Sequence, residues 1–438
     1  MDIGRQAMGG MAVRVIGLTL TWATTMCLAH ALGPGQYGVW TVIVGLSSLL
    51  ATVFSFGADQ FATRTIASTH QNDSTDLRRE ACLTHAICLS GTVIGLVVLL
   101  GTLCLAGVFN FSLRLQLVLT ASLMMFPVIQ LIVLRQWITL PLLGTAAAIA
   151  PEQILLPLLL IPAVTVLKSV NGSVSVNATV MAYAVCSLTV WAVAMWTSRI
   201  GRLIHSGLRD RFEFREILGR VAQAAPFLGS SLVNLIAQVR LMPLVVAAVC
   251  GFEDAGRLAV ALQMATLVAM PLGVVTLSVM PGCARLHGAG DHEALQHLIR
   301  SAATLCVCLA PPIAIGLLVF RNSLFALLGT EYSPSAQLLI VLVIGQLFNA
   351  CCGPNGAVMQ MIGMERVYMK ALLVTGVGQM IAVAAAGMAG NLIAVAIAIA
   401  ASQFASNIVL CLILWRRRRL PLLPYASPSR WFAALRHV

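Results

Sequence analysis

Seven side chains stand where their chemistry is costly, inside or beside long apolar runs. Arg14, Arg64 and Arg240 carry guanidinium groups, Asp59 and Glu152 carboxylates, and Asn349 and Asn355 carboxamides. An ionisable group within a bilayer costs roughly 2.5–3.5 kcal/mol by insertion scales, so each one requires a reason. The planar guanidinium fork suits phosphate and pyrophosphate oxygens. Arg14 and Arg240 are therefore candidate cavity cations for an anionic substrate, and Arg64 a candidate at its entry. The other reading of Arg14 and Arg240 is a long side chain that snorkels to the nearest interface. Glu152, between Pro151 and Gln153, is either a buried proton or cation site or a group at the mouth of its span. Asp59, with Gln60 and Arg64, closes an apolar run, as a solvated helix end or as a gate. Asp59 and Glu152 are thus the candidate coupling-ion ligands. Asn349, Gln360 and Asn355 fall in a run broken by Gly and Pro, where amides join helices or meet substrate.

The elements that position these residues must be membrane helices. The 438 residues are 59% hydrophobic and 10% charged, with a mean hydropathy of +0.93. Soluble domains run at about 45–50% apolar and about 25% charged, so lipid must be the solvent for most of this chain. Twelve runs reach the roughly 20 residues that a span needs, at about 10–30, 37–57, 81–107, 115–134, 142–167, 177–198, 220–249, 257–280, 301–320, 335–361, 367–389 and 391–414. None alternates as a membrane β-strand would. The expectation is an all-α polytopic membrane protein.

Two segments half a chain apart read alike, LGPGQYGVWTVIVGLSSLL from Leu32 and CGFEDAGRLAVALQMATLV from Cys250. Gly33 and Gly38 recur as Gly251 and Gly256 at one constant offset. With six runs in each half, both halves enter the membrane from the same side, which predicts two six-helix bundles related by a parallel repeat. The expected divisions are a bundle over 1–198, an amphipathic cytoplasmic linker over 199–219, a bundle over 220–415 and a basic tail over 416–438.

Most of the 27 lysines and arginines fall on alternate connections: Arg64 with Arg78 and Arg79, Arg135, the Arg199 to Arg220 segment, Arg285, Arg366 and the tail from Arg416. The positive-inside rule places both termini in the cytoplasm. The net charge of +12 is accounted for by this arrangement and by anionic lipid heads, so nucleic acid is not an expected partner. The twelve cysteines lie mostly within apolar runs and read as small core filler. No phosphate-binding G-x4-GK[ST] loop occurs. His292, Glu293 and His297 miss the zinc-protease spacing by one residue and fall in a predicted polar loop, so no metal or other cofactor is expected. The longest outward connection, from Arg321 to Pro334, is too short to hold a glycan polymerase or ligase site, and the chain reads as a non-enzyme.

Three segments resemble one family: ALGPGQYGVWTVIVGLSSLLATVFSFGADQFATR from Ala31, NLIAQVRLMPLVVAAVCGFEDAGRLAVALQMATLV from Asn234, and CCGPNGAVMQMIGMER from Cys351. Over roughly 10–415 the chain is similar to polysaccharide transporters of the Wzx-type flippase group. These share a superfamily with multidrug (MATE) antiporters and lipid II flippases. The resemblance implies two bundles around a V-shaped cavity and alternating-access movement of a polyprenyl-pyrophosphate-linked oligosaccharide across the bacterial inner membrane, for O-antigen, capsule or exopolysaccharide synthesis. It implies membrane lipids, a polysaccharide polymerase and a chain-length regulator as partners. One departure stands out: the family often carries an acid in the seventh span where this chain has Arg240. The alternatives are a drug/cation antiporter, a lipid II-type flippase and, least favoured, a membrane glycan polymerase or ligase.

Overall fold

The computed structural model describes residues 3–69, 74–109, 112–197, 214–237 and 241–418. The helices are α1 (Ile3–Phe54), α2 (Ala58–Thr69), α3 (Ser74–Val108), α4 (Leu113–Ala150), α5 (Leu156–Asn171), α6 (Val176–Thr197), α7 (Phe214–Ala237), α8 (Met242–Val249), α9 (Phe252–Ala265), α10 (Met270–Gly288), α11 (His292–Leu328), α12 (Ser335–Cys351), α13 (Asn355–Met361), α14 (Glu365–Met388) and α15 (Leu392–Arg418). No strand occurs among the described residues. Nine helical stretches there are long and apolar enough to cross a membrane. The chain is a polytopic helical membrane protein.

Two of those stretches each hold two of the runs read from the sequence. Ala12–Phe54 has 43 residues, about 65 Å at 1.5 Å per residue, twice a hydrocarbon core of about 30 Å. It bends at Gly33 (φ 70, ψ 168). Gly251, its partner in the repeat, has nearly the same backbone (φ 96, ψ 170). Almost only glycine occupies this region, so the repeat is written in backbone geometry as well as in letters. The second stretch, Leu113–Asn171, bends at Gly144 (φ 86, ψ 175). The connection expected around Arg135 is displaced to that bend, and Arg135 is a buried residue of α4.

The surface is apolar as well as the interior, unlike that of a soluble protein. Along α3, Val93, Val97 and Leu105 are more than half exposed, whereas Ser47, Ser122, Thr179 and Ser187 are fully buried. Without a hydrophobic drive between helices in lipid, close packing and polar contacts hold them together. Gly91 and Gly95 of α3 show the close packing. A Cβ at Gly91 would strike the Phe54 carbonyl, and one at Gly95 would lie 2.7 Å from the Phe126 ring. Gln130 of α4 adds polar contacts: its Nε2 donates to the carbonyls of Phe54 and Cys88, each at 3.2 Å.

Contacts divide the chain into two units, one of Met1–Leu32 with Gln36–Leu235, the other of Gly33–Gly35 with Ile236–Val438. The boundary read at 219/220 does not coincide with this division, because most of α7 packs on the first unit. Arg220 pairs with Glu80, Arg79 with Glu216 at 3.1 Å, and the Phe61 and Phe227 rings meet edge to face. Most of the linker expected over 199–219 lies outside the described residues. In the second unit, Val275, Ile299, Leu305, Met359 and Leu414 anchor an apolar core. His292 and Glu293 form the first turn of α11, capped by Asp291, whose carboxylate accepts from the Ala294 N–H at 3.0 Å. The polar loop expected there is a helix start.

Candidate functional site

In the first unit, Pro151 opens a short π-helical turn, Pro151–Leu155, between α4 and α5. The Leu156 N–H reaches back to the Pro151 carbonyl, and the wider turn carries Glu152 onto Arg135. The Arg135 Nε donates to Glu152 Oε1 at 3.0 Å and its Nη2 to Oε2 at 2.7 Å. Nη2 also donates to the Ala148 carbonyl at 2.7 Å. The two side chains are 4% and 17% exposed. Glu152 is neither a free proton site nor a solvated group at the mouth of a span: its charge is neutralised in place. Gly17 lies so close that a Cβ there would sit 2.5 Å from the Cβ of Gln153.

Asp59 begins α2, after a tight turn in which Phe56 (φ 54) and Gly57 (φ 75) are left-handed. It is 6% exposed, so the solvated helix end is corrected to a buried carboxyl. The Ser55 hydroxyl donates to its Oδ1 at 3.2 Å. Burial pushes the Asp59 carboxyl above the usual carboxylate range, and the Gln60 backbone N–H and the Ser55 hydroxyl offset this in part. Arg14 lies partly covered in α1. Arg64 belongs to α2 with its side chain outside the described residues, and Arg240 falls outside them altogether.

The second unit holds a polar cavity of about 370 Å³. α12 ends at Cys351, Gly353 turns the chain at φ 73, and α13 starts at Asn355 after Pro354. This break sets the Asn355 carboxamide 3.0 Å from that of Asn407 on α15. Asn407 in turn donates to Asn349 Oδ1 at 3.0 Å, and Asn349 donates to Gln346 at 3.4 Å. The spacing explains the shared lining: Gln346 and Asn349 are three apart on α12, and Gln403 and Asn407 four apart on α15, so each pair shares one helix face. Gln379 reaches the same cavity from α14. It is 4% exposed and its Nε2 has no hydrogen-bond partner. A buried amide group left unpaired costs about 1–3 kcal/mol. No lining residue carries a formal charge.

The structure thus joins Asn349 to Asn355 through Asn407. Gln360 is exposed and does not line the cavity. Sequence reasoning passed over Gln346, Gln379, Gln403 and Asn407. Their signal was present, as amides at helical spacing within apolar runs.

The MatE family model matches residues 232–385, which hold Gln346, Asn349, Asn355 and Gln379. An inward-facing multidrug resistance MATE family transporter of the MOP superfamily superposes with a TM-score of 0.69 at 17% identity, over 94% of this chain and 98% of that one. The lipid II flippase MurJ, in an inward closed conformation, gives 0.66 at 14% identity over 93% and 87%. A MATE transporter from Vibrio cholerae gives 0.62 at 13% identity over 94% and 97%. The chain shares the fold of these transporters. No curated protein matches it. Among the structures that share this fold are a multidrug resistance transporter and a lipid II flippase.

Proposed function

We propose that the protein is an alternating-access flippase for a polyprenyl-pyrophosphate-linked oligosaccharide in the bacterial inner membrane. One observation carries the choice. Among the described residues, Glu152 is the one acid well inside an apolar run, and Arg135 neutralises it. The other described acids lie at the ends of the runs or in connections, the buried Asp59 at the start of α2 included. A cation antiporter needs an acid free to exchange a proton or sodium for its cargo, whereas an anionic lipid-linked glycan needs cations and neutral hydrogen-bonding groups. In this reading Arg14, Arg64 and Arg240 meet the pyrophosphate, and the carboxamides of the second unit serve the glycan. The pyrophosphate charge leaves a negative cytoplasm down its electrical gradient, at about 2.3 kcal/mol per charge per 100 mV, so the potential itself drives export.

The test is translocation of a fluorescent polyprenyl-pyrophosphate oligosaccharide by the purified protein in liposomes, alongside a deletion strain. Transport in vitro, with lost surface glycan and accumulated precursor in the strain, is expected. Arg240→Ala at unchanged protein level is expected to reproduce the strain's defect. The MatE match over 232–385 favours a second reading, a drug/cation antiporter. Altered drug resistance with normal surface glycan in the deletion strain would establish that reading and defeat the first.

A further inference from the structure

The cavity of the second unit offers more hydrogen-bonding groups than it uses. The Gln379 Nε2 lies buried without a partner, although a leucine of similar size would fill the same space without that penalty. Around it stand Gln346, Asn349, Gln403, Ser406 and Asn407. The chemistry of this set narrows the ligand. A phosphate would call for a cation, and none lines the wall. A metal or organic cation would call for a carboxylate, also missing from the lining. A hydrocarbon would leave the Gln379 Nε2 unpaired. A neutral polyhydroxyl ligand satisfies it, because each hydroxyl both donates and accepts, as each carboxamide does. A volume of about 370 Å³ sits at the low end of small-ligand sites, roughly 300–1,000 Å³. It suits a single sugar unit rather than a whole oligosaccharide.

We propose that this cavity binds an uncharged sugar unit of the transported glycan, with Gln379 donating to it. The assignment rests on the flippase reading and adds that sugar selectivity resides in the second unit. Substitution at Gln379 separates a ligand role from a structural one. Gln379→Leu removes a donor that has no partner within the protein, so folding loses no hydrogen bond there, whereas sugar binding loses one. Ser406→Ala supplies a second variant, which removes only a hydroxyl.

The probes are the methyl glycosides of glucose, galactose and N-acetylglucosamine, added to the full-length protein in nanodiscs and followed by ligand-detected NMR with a thermal melt. Binding of at least one glycoside by the wild type is expected, weakened about 10-fold by Gln379→Leu and also weakened by Ser406→Ala. The melting temperature of Gln379→Leu is expected to hold or rise. The site is overturned if no glycoside binds, if Gln379→Leu binds as the wild type does, or if its loss of binding tracks a fall in melting temperature. Translocation of the lipid-linked glycan is measured separately on the wild type. Translocation without glycoside binding defeats this site alone. Absence of translocation defeats the flippase reading, and with it the sugar as cargo.

Discussion

Arg135 and Glu152 stand 17 residues apart in the chain and come together because Pro151 widens one helical turn. Removing one partner of a buried pair strands the other charge, at a cost of about 3–5 kcal/mol. Glu152→Gln should therefore lower the melting temperature of the detergent-solubilised protein strongly, and Arg135→Leu with Glu152→Leu should recover most of the loss. Equal melts for the single and double variants would contradict this account. Asp59 predicts a pH effect of definite sign. Its folded carboxyl titrates above the ordinary value of 3.8, so the folded state favours the protonated form. Stability should fall as pH rises from that ordinary value through the raised one. Asp59→Asn should melt like the wild type below this window and above it at neutral pH. A constant difference across the titration would remove burial as the cause.

At the scale of elements, glycine sets where helices bend and how closely they pass. Gly33 and Gly251 hold matching conformations that cost other residues about 1–3 kcal/mol. Gly33→Ala and Gly251→Ala should each lower thermal stability by that order, whereas Gly101→Ala, in open space on α3, should not. The comparison is a fluorescence-detected melt of the three variants. These bends also show what could be read before the structure. The G-x4-G repeat was legible as letters and located both turns. The bend at Gly144 was not, because its run differs little in composition from its neighbours. A connection was therefore placed around Arg135, where the chain continues as helix.

At the scale of the whole molecule, charge decides orientation. Arg135 lies buried in α4 rather than in a connection, and the expected bias of basic residues rests on Arg79, Arg220, Arg285, Arg366 and Arg416. A C-terminal fusion should therefore give a fluorescent protein active in the cytoplasm and an inactive alkaline phosphatase. The reverse pair of signals would overturn the orientation proposed here. The two basic pairs between α3 and α7 have a role beyond orientation: Arg79 with Glu216 and Arg220 with Glu80 tie α7 to the first unit.

Composition and hydropathy alone determined the solvent of this protein, its helical class and its internal repeat, because these depend on sums and periods along the chain. Which polar groups meet was decided only by the tertiary structure. Asn349 and Asn355 were legible as candidates from the Gly-Pro break beside them, yet their link runs through Asn407, more than 50 residues onward in α15. Glu152 was legible as an unusual acid, yet whether it is free depended on a π-helical turn and an arginine one helix earlier. Pairing between distant side chains is set by helix rotation and by the close approach that small residues permit. One sequence records neither, and so the neutral character of the cavity emerged only when four helices were seen to place their carboxamides around the same space.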